Sequence, residues 1–173
     1  MPRPDLSRVP EYYHRYINQV PEKDLLPALA NQTVAFLKLL KKIPVEKRSY
    51  RYAKGKWTIK EVLQHIIDAE RVFAYRALCI ARKDATHFPS FDEDAYAANA
   101  KTAKRNWDDL VEEFKSVRKS TEILFASFDR QQMDTDGVAS GRPVYVMGIG
   151  FIIAGHLNHH ETLLKERYLV KKK

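Results

Sequence analysis

Residues 55–84, GKWTIKEVLQHIIDAERVFAYRALCIARKD, decide the fold. Val62, Ile66, Ala69, Val72/Phe73, Ala77 and Ile80 recur at steps of three and four, the spacing that lines one face of an α-helix. Thr58 and Glu61 match the S/T-x-x-E capping box, in which each side chain satisfies a free backbone N–H of the first turn. The spacing therefore predicts a helix over 58–82. His65 follows Val62 by three residues and precedes Ala69 by four, so it falls on the face that meets the core.

Three further segments share this periodicity. Residues 24–42 carry Leu25, Leu26, Leu29, Val34, Phe36, Leu37 and Leu40, and Pro44 closes them. Residues 103–128 carry Trp107, Leu110, Phe114, Val117, Ile123, Leu124 and Phe125. Residues 147–169 carry Ile149, Ile152, Ile153, Leu157, Leu163 and Leu164. Four long amphipathic helices predict an all-α four-helix bundle. Its connections are long, so a crossover topology other than simple up-down-up-down is open. Residues 83–102 are expected to hold a short helix over 92–99. Asp136-Gly137 and Ser140-Gly141 are turn signals, and 142–146 reads as a short strand. The first 20 residues, with prolines at 2, 4 and 10, read as an extension of short helix and coil.

At 173 residues the chain suits one domain over 1–173, ending in the lysine tail 171–173. Its apolar content of 45% excludes a disordered chain, and its one cysteine, Cys79, excludes an internal disulfide. No apolar run approaches the roughly 20 residues of a membrane span, and the N-terminus lacks a signal-peptide core, so a cytoplasmic protein is expected. The net charge is +8, of which residues 1–56 supply +7, with 12 Lys/Arg against 5 Asp/Glu. Lys38, Lys41, Lys42, Lys47, Arg48, Arg51, Lys54 and Lys56 read as a phosphate-binding surface, as cations at a helix end, or as a field for an anionic small substrate. No nucleic-acid motif lies nearby, which disfavours the first.

The histidines carry the chemistry. His156 lies three beyond Ile153, and His160 lies four beyond His156, so both face inward. Two imidazoles at i and i+4 can bind one ion, and His65 supplies a third from another helix. Three histidines leave a coordination position open, the form of a catalytic site. Imidazole suits zinc, nickel, iron and copper alike. Against this stands the plain packing role of most core histidines. His159 reaches the same face and is expected at the rim, as a support for the site or a substrate contact. His14 and His87 read as surface or loop residues. Asp68, about 60° round the helix from His65, is the better carboxylate to orient an imidazole or a bound water; Glu70 lies about 140° away. Both also read as salt-bridge partners, Glu70 toward Arg167 or toward Arg71 of a neighbouring copy. Tyr75 and Tyr145 are expected to pack, and Cys79 to be a buried, inert thiol.

The block Trp57-Thr58-x-x-Glu61-x-x-x-His65, the stretch FPSFDEDAYAANA at 88–100 and the late H-x-x-x-H in GIGFIIAGHLNHHETLLKERYL at 148–169 resemble the DinB-like (YfiT-like) metal-binding four-helix bundles. The resemblance covers about residues 20–169. It implies one divalent metal, zinc or nickel with iron or manganese compatible, held by His65, His156 and His160. It implies a homodimer and a small-molecule substrate. It also implies a metal-dependent enzyme that activates water for hydrolysis or a low-molecular-weight thiol for S-transfer. The competing readings are a metal-stabilised binding protein or sensor without turnover, and nucleic-acid binding through the basic N-terminal third.

Overall fold

The computed structural model describes residues 3–170, so the lysine tail 171–173 lies outside the described residues. The chain forms α1 (Glu11–Ile17), α2 (Leu25–Lys41), α3 (Ile59–Ala81), α4 (Glu93–Asn99), α5 (Trp107–Ala126) and α6 (Arg130–Met133). A hairpin of β1 (Asp136–Ala139) and β2 (Arg142–Tyr145) leads into α7 (Val146–Leu163), which widens into a π-helical turn over Leu164–Tyr168. The long helices α2, α3, α5 and α7 form the bundle.

Their order around the bundle follows from their contacts. The main bundle partners of α2 are α5 and α7, and those of α3 are also α5 and α7. So α2 lies diagonal to α3, and α5 diagonal to α7. Two of the three connections cross the bundle, which is the crossover topology that long linkers permit.

Local chemistry sets the ends. The Thr58 hydroxyl accepts from the Glu61 N–H at 3.2 Å, and Glu61 Oε2 accepts from the Thr58 N–H at 2.6 Å, as the capping box requires. Asp92 caps α4 through the N–H groups of Asp94 and Ala95. The hairpin turns at Ser140 and Gly141, with φ of 55° and 70°; two positive φ values in a two-residue loop are the type I′ requirement. The third long helix begins later than its pattern: Thr102–Lys104 form a separate 3-10 turn, and the Asn106 side chain accepts the Asp108 N–H to start α5 at Trp107. Helix α6 has no counterpart in the periodicity; its capping box is Asp129 with Gln132.

Two apolar clusters fill the interior. One gathers α1, the hairpin, Ala69–Ile80 of α3 and the first half of α7; the other gathers the ends of α2 and α7, Ile59–Ile67 of α3 and part of α5. The three inward histidines sit where these clusters meet. Two residues of the apolar stripes depart from the pattern: Val34 on α2 and Ile123 on α5 are 54% and 58% exposed.

Candidate metal centre

Neighbouring helices α3 and α7 bring the histidines together. His65 Nε2 stands 3.0 Å from His156 Nε2, and His160 Nε2 stands 3.1 Å from the same atom. The ligand atoms of all three lie within 4.8 Å of one another. His156 and His160 are buried, and His65 is partly exposed. The ring of Trp57 lies 4.7 Å from that of His65, and the Trp57 carbonyl accepts from the Tyr168 hydroxyl at 2.8 Å. The π-helical turn thus holds the segment that packs against His65.

Burial keeps all three imidazoles neutral. It pushes His65 down to about 4, and it holds His156 and His160 well below the ordinary imidazole range, with the neighbouring imidazoles adding to the effect. A neutral imidazole nitrogen offers either one lone pair or one proton. His156 Nε2 faces two other Nε2 atoms at once, so a pairwise hydrogen bond leaves the third nitrogen unserved. A tetrahedral ion with nitrogen ligands at about 2.0–2.1 Å would space them by about 3.3 Å, close to what is seen. The donor set therefore fits a divalent transition metal. His160 Nδ1 is buried without a hydrogen-bond partner.

The cluster opens into a cavity of about 360 Å³. Helix α1 lines it with Tyr12, Tyr13 and Tyr16, and α3 adds Ala69, Phe73 and Arg76. The long crossover adds Ser90, Phe91 and Glu93, and the hairpin turn adds Ser140. The roof is tied down: Phe88 bridges to Ala139, and the Ser140 N–H donates to the Phe88 carbonyl at 2.8 Å. Helix α1 approaches so closely that a Cβ on Gly155 would lie 2.1 Å from the Tyr16 carbonyl oxygen. Only glycine admits this crossing, one residue before His156.

The other candidates are distributed as follows. His159 lines the same cavity, its ring 5.2 Å from that of Tyr16 and 5.1 Å from that of His160. Asp68 does not join the cluster. It accepts from Gln64 Nε2 at 2.9 Å, stands 3.8 Å from Arg71, and lines a separate groove with α4. Glu70 pairs with neither expected arginine: it meets Arg118 of α5 at 2.8 Å, both side chains being almost fully buried. Its partner comes from the neighbouring helix because Glu70 faces the bundle interior. His14 Nε2 lies 2.9 Å from the carbonyls of both Leu6 and Val9 and ties down the N-terminal turn. His87 lies in the exposed crossover loop, beside a different groove. Tyr75 packs edge-on against Phe88, and the Tyr145 hydroxyl accepts the Asp5 N–H. Cys79 is only partly buried. The α1 tyrosines, Trp57, Arg76, Ser90, Glu93 and Ser140 are cavity residues that sequence reasoning misses; the one available signal is the aromatic spacing Tyr12, Tyr13, Tyr16.

The sequence pattern of the DinB superfamily matches residues 28–163. The chain belongs to the DinB superfamily. A solved structure described as "YfiT from Bacillus subtilis is a probable metal-dependent hydrolase with an unusual four-helix bundle topology" aligns with a TM-score of 0.66 at 17% identity, covering 95% of this chain and 91% of that one. At that identity the likeness is one of fold. A search of curated protein sequences finds no match.

Proposed function

We propose that this DinB-superfamily member is a metal-dependent enzyme whose His65, His156 and His160 hold one divalent ion, zinc or nickel before iron or manganese. The observation that carries the reading is the meeting of three neutral Nε2 atoms, 3.0 and 3.1 Å apart in the two closest pairs, beside a cavity sized for a small molecule. A divalent ion there would lower the pKa of a water or thiol and so supply a nucleophile near neutral pH. The chain's own part is to keep the imidazoles uncharged, fix their rings and shield the reacting end. Trp57 packs on His65, and Tyr16 packs on His156 and His159. The substrate is a small electrophile, attacked by a low-molecular-weight thiol in S-transfer, which we favour slightly on the resemblance noted above, or by water in hydrolysis. The working assembly is a homodimer in the cytoplasm.

Elemental mass spectrometry of the untagged protein tests the reading. About one metal per chain, lost in His65→Ala, His156→Ala and His160→Ala, is the expected result. An unmetallated wild type that zinc and nickel do not stabilise would leave the histidines as packing residues and end the enzyme reading. Bound metal without turnover across thiol and ester panels would instead make this a metal-stabilised binding protein. The exposed basic N-terminal third predicts at most weak, salt-sensitive binding to nucleic acid.

A further inference from the structure

Arg76 is 4% exposed and lines the cavity. A buried charge is normally neutralised. The other deeply buried arginine, Arg118, meets Glu70. Arg76 has no carboxylate within 4.0 Å among the described residues. Its hydrogen bonds run from Nη2 to the Pro89 carbonyl at 2.5 Å and to the Ser140 hydroxyl at 3.3 Å, both neutral. Glu93 lines the same cavity but is exposed and forms no ion pair with it. The guanidinium has five N–H donors in a planar fork, and these two bonds use only one nitrogen.

We propose that Arg76 anchors an organic carboxylate, so that the small molecule entering this cavity carries its reacting end toward the histidines and a carboxylate toward Arg76. This rests on the reading of the cavity as the substrate site. A guanidinium grips a carboxylate through two parallel charge-assisted bonds, which a desolvated cavity strengthens. The phenyl ring of Phe73 lies 6.1 Å from the His156 ring and 5.9 Å from Arg76 Cζ, so the two ends are at most about 12 Å apart. The ligand is therefore short, with an apolar middle against Phe73 and the α1 tyrosines. The crossover and the hairpin turn both bond to Arg76, so the anchor and the roof of the cavity are built together.

The probes are hexanoate and hexanamide, which differ in charge but hardly in shape. Binding is measured by calorimetry on the protein as purified and after zinc loading, with metal content determined on the same samples. Wild type is expected to bind hexanoate at least ten-fold more tightly than hexanamide. Arg76→Gln, which keeps a donor for the Pro89 carbonyl, should erase that difference, and Arg76→Lys should restore part of it. Equal binding of the two probes by wild type, or no detectable binding of hexanoate, overturns the proposal without any variant. So does an Arg76→Gln protein that weakens both probes equally, the mark of a residue that only holds the loop. Inorganic phosphate binding as tightly, and with the same dependence on Arg76, would reassign the anion and also overturn it. A protein that takes up no zinc on loading yet still discriminates through Arg76 would remove the metal reading and leave this one standing.

Discussion

His156 is the residue on which the cluster turns, because its Nε2 is the atom within about 3 Å of both other imidazoles. Among the histidine variants, His156→Ala is expected to abolish metal binding outright. His159→Ala should retain about one ion per chain, since its ring leans on Tyr16 and His160 from the cavity side. Metal content of the two purified variants checks both. The pH dependence follows from the depressed imidazoles. His65 titrates at about 4 in the folded chain against an ordinary 6.5, so on acidification the unfolded chain takes up protons first. The metal-free protein should therefore keep its full stability above about pH 6.5 and lose it progressively as the pH falls toward 4. His65 alone contributes roughly 3 kcal/mol at most to that loss. Urea midpoints from about pH 8 to about pH 5 measure it, and a His65→Gln chain should show a shallower decline. These ligand candidates are legible from helical spacing alone, because a three- or four-residue step fixes which side chains share a face. Asp68 is misplaced for the same reason: an angle of about 60° on a helical wheel does not show that Gln64 and Arg71 claim the carboxylate.

At the level of elements, the boundaries that sequence reveals are those with a local chemical cause. The Thr58–Glu61 box starts α3 where expected, and Ser140-Gly141 turns the hairpin. The early start assigned to the third long helix fails because Arg105 and Asn106 are extended, with ψ of 142° and 144°, and separate a short turn from the helix proper. Four residues, as in α6, are too few to carry a period. Long-range contacts stay hidden as well, and the crossing of α1 over α7 is the clearest case. Gly155→Ala would gain about 0.5–1 kcal/mol in helix propensity. The new Cβ would meet backbone atoms of Tyr16, which cannot rotate away, and overpacking of this kind costs about 1–3 kcal/mol. The clash should prevail: a net loss in melting stability, with faster amide exchange in α1 and a disturbed Tyr16 beside the histidines. The Glu70–Arg118 pair joins α3 to α5 inside the bundle. Glu70→Gln strands a buried guanidinium and should cost about 3–5 kcal/mol in denaturant unfolding, whereas Glu70→Leu with Arg118→Met should be far milder.

For the molecule as a whole, the order of helices around the bundle is the least legible feature. Each helix announces its apolar face, but nothing local states which neighbour that face meets when linkers are long enough to cross. Helices α2 and α5 end up side by side, joined by Thr33 Oγ1 to Glu122 Oε1 at 3.1 Å. Next to these two residues in sequence are Val34 and Ile123, two of the seven large apolar side chains left in solvent among the described residues. Their adjacency supports the proposed homodimer packing through the α2–α5 face, away from the α3–α7 side that carries the histidines. Val34→Lys with Ile123→Lys should then convert a dimer to a monomer in light scattering. Three ligand candidates and the cavity lining all come from one chain, so the same double variant should still bind about one metal ion. Loss of metal together with the dimer would mean that the partner shapes the site, and would reject the single-chain centre argued above.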